Sequence, residues 1–363
     1  MLEISYYFGG AGVSAVMQWG RMGGLLLGCF ALFPGAQAAV LPDANAPAAI
    51  MGTAGIAIDS LEGVEAVRYN PSLLALEVGM KGMLGLSQYR EKRAGEIAGV
   101  RSAPLKKDTY APELGLTVTP DNTDFGFGLL LDTPRQFKMV WPEGGGTGQI
   151  VSHRLTGAFG WRLLPDVALG VSAGVERISL DSNRVHGDFT APFVTGAVTW
   201  LGNNDLRLTA RYDQYLSTNL NGQKAAMGAT ATLGGGLWVT DFWRLHGQIA
   251  QQKGGDDPWG GATLPMEQNR WGLALVRHTN DLARLRLGFA RSDTKTRGVV
   301  DPLMPVMERE WHYAVGMRAP LRDVWIDAAY EYIFHDVSHD SAGSAFSGNS
   351  YRFSVDMTWE LNP

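Results

Sequence analysis

This sequence has almost no cysteine, no surplus of basic residues and no long apolar run. Cys29 is the only cysteine, and the formal net charge is −5. A lone cysteine excludes a disulfide framework, and a negative chain gives no indication of a nucleic-acid partner. The one apolar run that approaches a membrane-spanning helix is Met22–Phe33. It is far shorter than the roughly 20 residues that such a helix needs.

This apolar run is typical of a secretory signal peptide. Arg21 provides the positive charge before it, and Ala36-Gln37-Ala38 provides a small-residue cleavage site after it. We therefore expect a signal peptide over residues 1–38, with cleavage after Ala38 or Ala39. Met17 is an alternative start of the translated protein.

Motifs that carry catalysis are missing as well. Gly144–Gly148 lacks the Lys-Ser/Thr ending of a phosphate-binding loop, and no serine lies in a nucleophile elbow. His335, Asp336 and His339 are metal-ligand residue types, but they fall in or beside a predicted loop. We therefore expect no catalytic residues, no metal site and no cofactor, and we predict that the protein is not an enzyme.

A repeated alternation of apolar and polar residues runs from about Met80 to the last residues. In the last segment one set of alternate positions is apolar: Tyr351, Phe353, Val355, Met357, Trp359 and Leu361. The positions between them are polar or charged: Arg352, Ser354, Asp356, Thr358 and Glu360. A period of two places these sets on opposite faces of a strand. The pattern predicts an all-β fold, a transmembrane β-barrel over residues 80–363 whose faces meet lipid and lumen.

The connections between the predicted strands alternate between short and long. Short ones, such as Leu164–Asp166 and Leu201–Asn204, contain the residues that tight turns require. Long ones include Glu91–Thr109, Thr133–Gly148 and Asp336–Asn349. Short periplasmic turns and longer outer loops are the rule in bacterial outer-membrane barrels, so we predict about 14 antiparallel strands with both ends in the periplasm. A soluble β-sandwich is the alternative, although it would rarely keep this rhythm over so many hairpins.

Residues 39–79 differ from the rest of the chain. They are rich in small apolar residues, as in Met51–Ile58, and they include the segment Asn70-Pro71-Ser72. This stretch resembles the start of the FadL/TodX family of outer-membrane transporters for long-chain fatty acids and other hydrophobic compounds. In that family a Gly-Ala-Gly-type segment leads to an Asn-Pro-Ala motif. The resemblance implies a small N-terminal hatch, or plug, inside a 14-stranded barrel, with these hatch and gate residues: Gly52, Gly55, Asn70, Pro71 and Ser72.

The polar faces of the predicted strands identify candidate residues of the lumen. We expect the following side chains to point inward: Arg207, Arg211, Arg270, Arg284, Arg286, Arg352, Asp213, Asp327, Glu331 and Asp356. Buried arginines need partners, and the hatch acids Asp59, Glu62 and Glu65 are available as well. One interpretation is a salt-bridge network that holds the plug. The other is a passage that attracts a carboxylate.

These observations leave more than one function open. A passive channel for hydrophobic compounds, such as long-chain fatty acids, follows from the resemblance. The loops that match the family's fatty-acid entry groove, Ser182–Asp188 and Ser217–Lys224, are short. Short loops favour the alternative, a structural or assembly barrel of a secretion, conjugation or surface-export system. An ordinary diffusion porin is a third hypothesis.

The expected surroundings are the same under each hypothesis. We expect the outer membrane of a Gram-negative bacterium, with its lipid and lipopolysaccharide, and the barrel assembly machinery as partners. A hydrophobic small molecule is a further expected partner of the channel.

Overall fold

The computed structural model describes residues 45–97, 100–141, 146–181, 186–202, 206–216, 218–220, 223–225, 228–253, 265–279, 283–296, 309–339 and 345–361. The predicted signal peptide lies outside the described residues.

Short helices precede the strands of the described chain. These are α1 (Ala48–Met51), α2 (Glu65–Tyr69) and a 3-10 helix (Pro71–Leu76). Within the described residues the strands are β1 (Gly79–Ile97), β2 (Val100–Thr119), β3 (Phe125–Asp132), β4 (Gln136–Trp141), β5 (Gly146–Leu164), β6 (Val167–Asp181), β7 (His186–Leu201), β8 (Leu206–Tyr215), β9 (Thr218–Leu220), β10 (Gln223–Ala225), β11 (Ala229–Trp238), β12 (Trp243–Lys253), β13 (Pro265–His278), β14 (Arg284–Thr296), β15 (Arg309–Leu321), β16 (Val324–His339) and β17 (Ala345–Leu361).

The strands form a closed antiparallel barrel. β1 pairs with β17 from Met80↔Leu361 to Glu96↔Ala345, and β3 pairs with both β2 and β5, which completes the ring. β3 and β4 both pair with β5 and together make one wall strand, and β9 and β10 form a separate small hairpin. The wall therefore has 14 strands, which confirms the predicted fold class. Closure leaves no free sheet edge between β1 and β17.

The alternation of the sequence becomes an outer and an inner face of the wall. In β17 the side chains of Phe353, Val355 and Met357 are exposed on the outer face. Ser354 and Asp356, between them, are buried in the interior. In a membrane barrel, lipid covers the outer face. Apolar side chains on this face therefore need not be buried against other parts of the protein.

The two ends of the barrel differ in their connections. Tight connections such as Pro165-Asp166 and Arg322-Asp323 join strands at one end, which we call the turn end. Strands reach the other end, which we call the loop end, at positions such as Glu96 in β1 and Arg309 in β15.

The core of the protein lies between the wall and residues 45–78, which we call the hatch. Val64, Val67, Leu73 and Leu74 of the hatch pack in one buried cluster with Met83 and Leu130 of the wall. Ile56 and Ala54 pack in a second cluster with alanines of β13, β14 and β15. The hatch thus supplies the apolar interior that a soluble protein would build from its own wall strands.

Some predicted loops are strands in the structure. Much of Glu91–Thr109 belongs to β1 and β2, and Thr133–Gly148 contains β4 and the start of β5. Charged residues such as Lys92 and Lys107 suggested a loop, but the backbone continues its ladder past them. Ladder bonds use only backbone groups, so pairing can continue where the side chains are no longer apolar.

No helix among the described residues has the length and apolar character needed to cross a membrane.

Candidate functional site

The bend at Asn70-Pro71-Ser72 is buried inside the barrel. The Asn70 side-chain amide donates to the Ile58 carbonyl at 2.9 Å and to Thr199 Oγ1 at 3.1 Å. Its side-chain oxygen accepts from Ser72 Oγ at 2.6 Å, and Ser72 Oγ also lies 2.7 Å from Thr199 Oγ1. Thr209 completes this group at 3.3 Å from the Asn70 amide. We call Asn70, Ser72, Thr199 and Thr209 the neutral anchor, because uncharged hydrogen bonds tie the hatch to β7 and β8.

Glycines on the inner wall mark where the hatch backbone passes. A Cβ at Gly170 would lie 2.0 Å from Ser72 N, and one at Gly160 would lie 2.5 Å from the Pro71 carbonyl oxygen. A Cβ at Gly288 would lie 2.2 Å from the Thr53 backbone, and one at Gly316 would lie 2.8 Å from Gly52 Cα. Side chains at these wall positions would displace the hatch. Part of the high glycine content therefore serves the fit between hatch and wall.

Gly55 has a different reason to be glycine. Its φ is +74°, in the left-handed region that favours glycine. The turn that it makes places the Ala54 carbonyl where Arg270 Nη2 donates to it at 2.6 Å. A glycine of the hatch thereby positions an acceptor for an arginine of β13.

Charged hatch residues contact another arc of the wall. Asp59 accepts from Arg244 Nη2 at 3.0 Å, and its other oxygen lies 2.8 Å from His246 Nδ1. Glu62 accepts from Arg284 at 2.7 Å and lies 3.5 Å from Arg318. We call Asp59 and Glu62 with these arginines the ionic anchor.

The two carboxylates of the ionic anchor differ in exposure. Asp59 is fully buried, whereas 35% of the Glu62 side chain is exposed. Burial raises the pKa of Glu62, but Arg284 and Arg318 outweigh it and hold that pKa at about 2. Glu62 is therefore a charged group that solvent and solutes can reach.

Glu65 is the hatch acid that makes no such pair. Both of its carboxyl oxygens are buried and lack a hydrogen-bond partner among the described residues. Burial, together with nearby Asp327, raises the pKa of Glu65 to about 8. Glu65 is therefore protonated at neutral pH.

A cavity of about 250 Å³, which we call the loop-side cavity, lies between the hatch and the loop end. Ile50, Met51, Ile58 and Phe193 give it an apolar part. The rest is polar, and its charged residues are Arg68, Arg135, Arg154, Arg211, Arg270, Arg352, Asp213, Glu310 and Glu331. Ion pairs hold most of these arginines, as in Arg68–Asp132, Arg135–Glu176 and Arg352–Glu331. The cavity can accept a molecule that has both an apolar and a polar part.

A smaller cavity of about 150 Å³, which we call the turn-side cavity, lies toward the turn end. Its hatch residues include Glu62 and Glu65, and its wall residues include the aromatic side chains of Trp238 and His278. Its arginines are Arg207, Arg244, Arg284, Arg286 and Arg318. The hatch separates the two cavities, so a route from one barrel end to the other requires the hatch to move.

The wall is interrupted beside the loop-side cavity. Thr133, Pro134 and Arg135 separate β3 from β4, and proline cannot donate a ladder bond. Among the described residues, β4 pairs with β5 alone, so the part of β2 facing β4 has no ladder on that edge. Thr109 Oγ1 donates to the Gln136 carbonyl there at 3.1 Å. We call this interruption the β2/β4 seam.

The hatch reaches the strand break from inside the barrel. Asn45 donates from its backbone to the Pro134 carbonyl at 3.2 Å and from its side chain to the Thr133 carbonyl at 3.0 Å. Arg135, just past the break, is buried and lines the loop-side cavity. The seam is thus connected to both the hatch and this cavity.

The residues proposed for the lumen from sequence all lie on the inner face, but they do not form one site. Arg211, Arg270, Arg352, Asp213 and Glu331 line the loop-side cavity. Arg207, Arg284 and Arg286 line the turn-side cavity. Asp327 is buried against Arg286, and Asp356 accepts a hydrogen bond from the Ala48 backbone at the start of α1.

Several inward arginines are missing from the sequence-based set. Arg244 alternates with outward Leu245 in β12 and could have been recognised by this pattern. Arg318 lies near the end of β15, close to the turn at Arg322-Asp323, and it pairs with Asp327 within the ladder of β15 and β16. Arg135 follows the break at Pro134, where no alternation assigns a face.

Glu310, His312 and His335 form a further inward cluster. No group of acidic, histidine or cysteine residues in the described part of the chain is arranged to hold a metal ion.

Comparison with known proteins gives matches in structure alone. No model of a protein family matches the sequence. No curated protein matches it either.

Solved structures match over most of the chain. A FadL homologue from Pseudomonas aeruginosa superposes with a TM-score of 0.72 at 14% identity, covering 90% of this chain and 100% of that one. The toluene transporter TodX of P. putida gives 0.67 at 14% identity, with 88% and 99% covered. The toluene transporter TbuX of Ralstonia pickettii gives 0.64 at 11% identity, with 89% and 100% covered. The resemblance predicted from the Asn70-Pro71-Ser72 segment is confirmed at the level of fold: this chain has the 14-stranded barrel of the FadL/TodX-like channels.

Proposed function

We propose that this protein is a passive outer-membrane channel for small hydrophobic compounds, which leave the lumen sideways through the β2/β4 seam. The seam is the observation that carries the proposal. In a closed barrel a fully paired wall isolates the lumen from lipid, whereas an edge without a ladder provides a place where a solute can pass between strands.

The neighbourhood of the seam supports this route. The loop-side cavity contacts Arg135 next to the break, and its apolar part can hold a hydrophobic compound. Glycines and the neutral anchor hold the hatch below this cavity. A compound that leaves through the seam need not displace the hatch. Among the matched structures, TodX and TbuX are described as toluene transporters.

The test is uptake by cells that lack their own channels for hydrophobic compounds. Tyr110→Cys and Gln136→Cys place thiols on the two sides of the seam, and a short bismaleimide can join them. We expect wild-type protein to raise the uptake of labelled toluene and oleate, and cross-linking to abolish the increase. Leu285→Cys with Met317→Cys, a directly paired position elsewhere in the wall, is the matched control.

Different failures have different meanings. Normal uptake after cross-linking at the seam would show that compounds do not leave sideways. No uptake by wild-type protein of either compound would exclude the hydrophobic channel and leave the structural or assembly barrel as the remaining hypothesis.

A further inference from the structure

The turn-side cavity has more positive than negative charge among the described residues. Arg244 is paired with Asp59, and Arg286 with Asp327, and both carboxylates are fully buried. Glu62 is the third ionised acid, and it is shared between Arg284 and Arg318. Since Glu65 is protonated at neutral pH, three carboxylates face five arginines.

Two arginines of the cavity have hydrogen-bond donors without an acceptor among the described residues. Arg207 lines the cavity, and no described residue forms an ion pair with it. Arg244 Nε is buried and has no acceptor in the described part of the molecule. Arg207 is only partly buried, so an anion in the cavity can accept from its guanidinium.

The cavity already accommodates one carboxylate, and that carboxylate belongs to the hatch. Glu62 lies against Arg284 and Arg318 in the arrangement that a carboxylate ligand would adopt. It is also partly exposed, so a solute can compete with it. Trp238 lines the same cavity, with the Arg244 guanidinium 5.8 Å from its ring centre. The wall therefore offers an apolar surface beside the cationic one.

We propose that the turn-side cavity binds a small organic carboxylate, which displaces Glu62 from Arg284 and Arg318 and contacts Arg207. The hatch then loses the ion pairs of Glu62, the exposed carboxylate of the ionic anchor, and keeps those of Asp59. This site is independent of which compound crosses the wall, and it lies at the other end of the barrel from the β2/β4 seam.

The experiment is calorimetric titration of the purified full-length barrel in detergent with sodium benzoate, at pH 7 and constant ionic strength. Toluene, which has the same ring without a carboxylate, is the neutral comparison. We expect benzoate to bind at this site and toluene not to bind there. Glu62→Gln removes the competitor and should tighten benzoate binding by roughly tenfold, whereas Arg207→Gln should weaken it by roughly tenfold.

Arg177→Gln is the matched control, because Arg177 lies on the outer face with 67% of its side chain exposed. It removes the same charge and should leave the affinity unchanged. Heat-modifiable migration on gels verifies that each variant is folded. Any of three results overturns the proposal: no benzoate binding, no gain in Glu62→Gln, or equal losses in Arg207→Gln and Arg177→Gln. Cross-linking of the seam should not alter the titration, which separates this site from the proposed transport.

Discussion

The hatch is attached to two arcs of the wall by different chemistry. On β5 to β8, the neutral anchor and the glycines Gly160 and Gly170 enclose the bend at Asn70 by shape and uncharged hydrogen bonds. On β12 to β15, the ionic anchor holds Asp59 and Glu62 by charge. A close steric contact with the wall is lost only if the backbone of the hatch moves. In an ion pair, by contrast, another anion can replace the carboxylate. The first arc fixes the hatch, and the second contains the contact that a solute can replace.

The largest expected effect comes from breaking the buried half of the ionic anchor. Asp59→Ala leaves Arg244 buried without its partner, and such a loss costs about 3–5 kcal/mol. We expect the hatch to undock, and hydrogen exchange of amides in residues 48–76 should accelerate accordingly. In the double variant Asp59→Ala/Arg244→Met, exchange should return toward the wild-type rate. Equal exchange in the single and double variants would show that charge does not hold this arc.

A smaller effect is expected from filling the space beside the neutral anchor. Gly170→Ala places a Cβ against the Ser72 backbone, and overpacking of this kind costs about 1–3 kcal/mol. We expect higher conductance in planar bilayers because the hatch shifts. Gly196→Ala is the matched control, since its Cβ would have no neighbour within 4 Å. If both variants conduct like wild-type protein, the glycine contacts do not position the hatch.

Hatch docking should also depend on pH. The pKa of Glu65 is raised from 4.5 to about 8 in the folded protein. Docking therefore favours protonated Glu65. The contribution of Glu65 to the stability of the docked hatch is complete below pH 4.5 and is lost as the pH rises through 8. We expect trypsin, added to the solubilised barrel, to cleave the hatch faster at pH 8.5 than at pH 5.

The pKa of Glu62 is about 2, so this carboxylate keeps its charge from pH 5 to pH 8.5 and should not change the rate of cleavage. Trypsin itself varies with pH, so each rate is divided by that of an unfolded peptide substrate. Glu65→Gln should weaken this dependence on pH. A dependence of unchanged size in Glu65→Gln would assign the effect to another group.

The sequence predicted the wall better than it predicted the site. Alternation identified the inner positions of Arg284, Arg286 and Asp356, because a period of two assigns faces wherever one face is apolar. It failed from Glu91 to Thr109, where charged residues such as Lys92 and Lys107 interrupt the apolar pattern in the sequence although the backbone pairing of β1 and β2 continues. It also failed at Arg135, because the break at Pro134 removes the alternation.

The contacts of the hatch could be predicted only in part. Proline after Asn70 indicated a tight bend, and its burial follows from the small apolar residues around it. The pairing of Asp59 with Arg244 joins residues far apart in the chain, and the hatch has no period that would assign a partner. The division into two cavities depends on where the hatch lies, which no local pattern determines.

The glycines of the inner wall also constrain the order in which the protein can fold. β1 follows the hatch directly and completes the ring by pairing Met80 with Leu361, a contact between residues far apart in sequence. Contacts of this separation form slowly. Backbone of the hatch lies against Gly160, Gly170 and Gly288, where any Cβ would overlap it. We therefore expect the hatch to be enclosed while the ring is still open, so that folding is an encapsulation in which the interior determines when the last strand can pair.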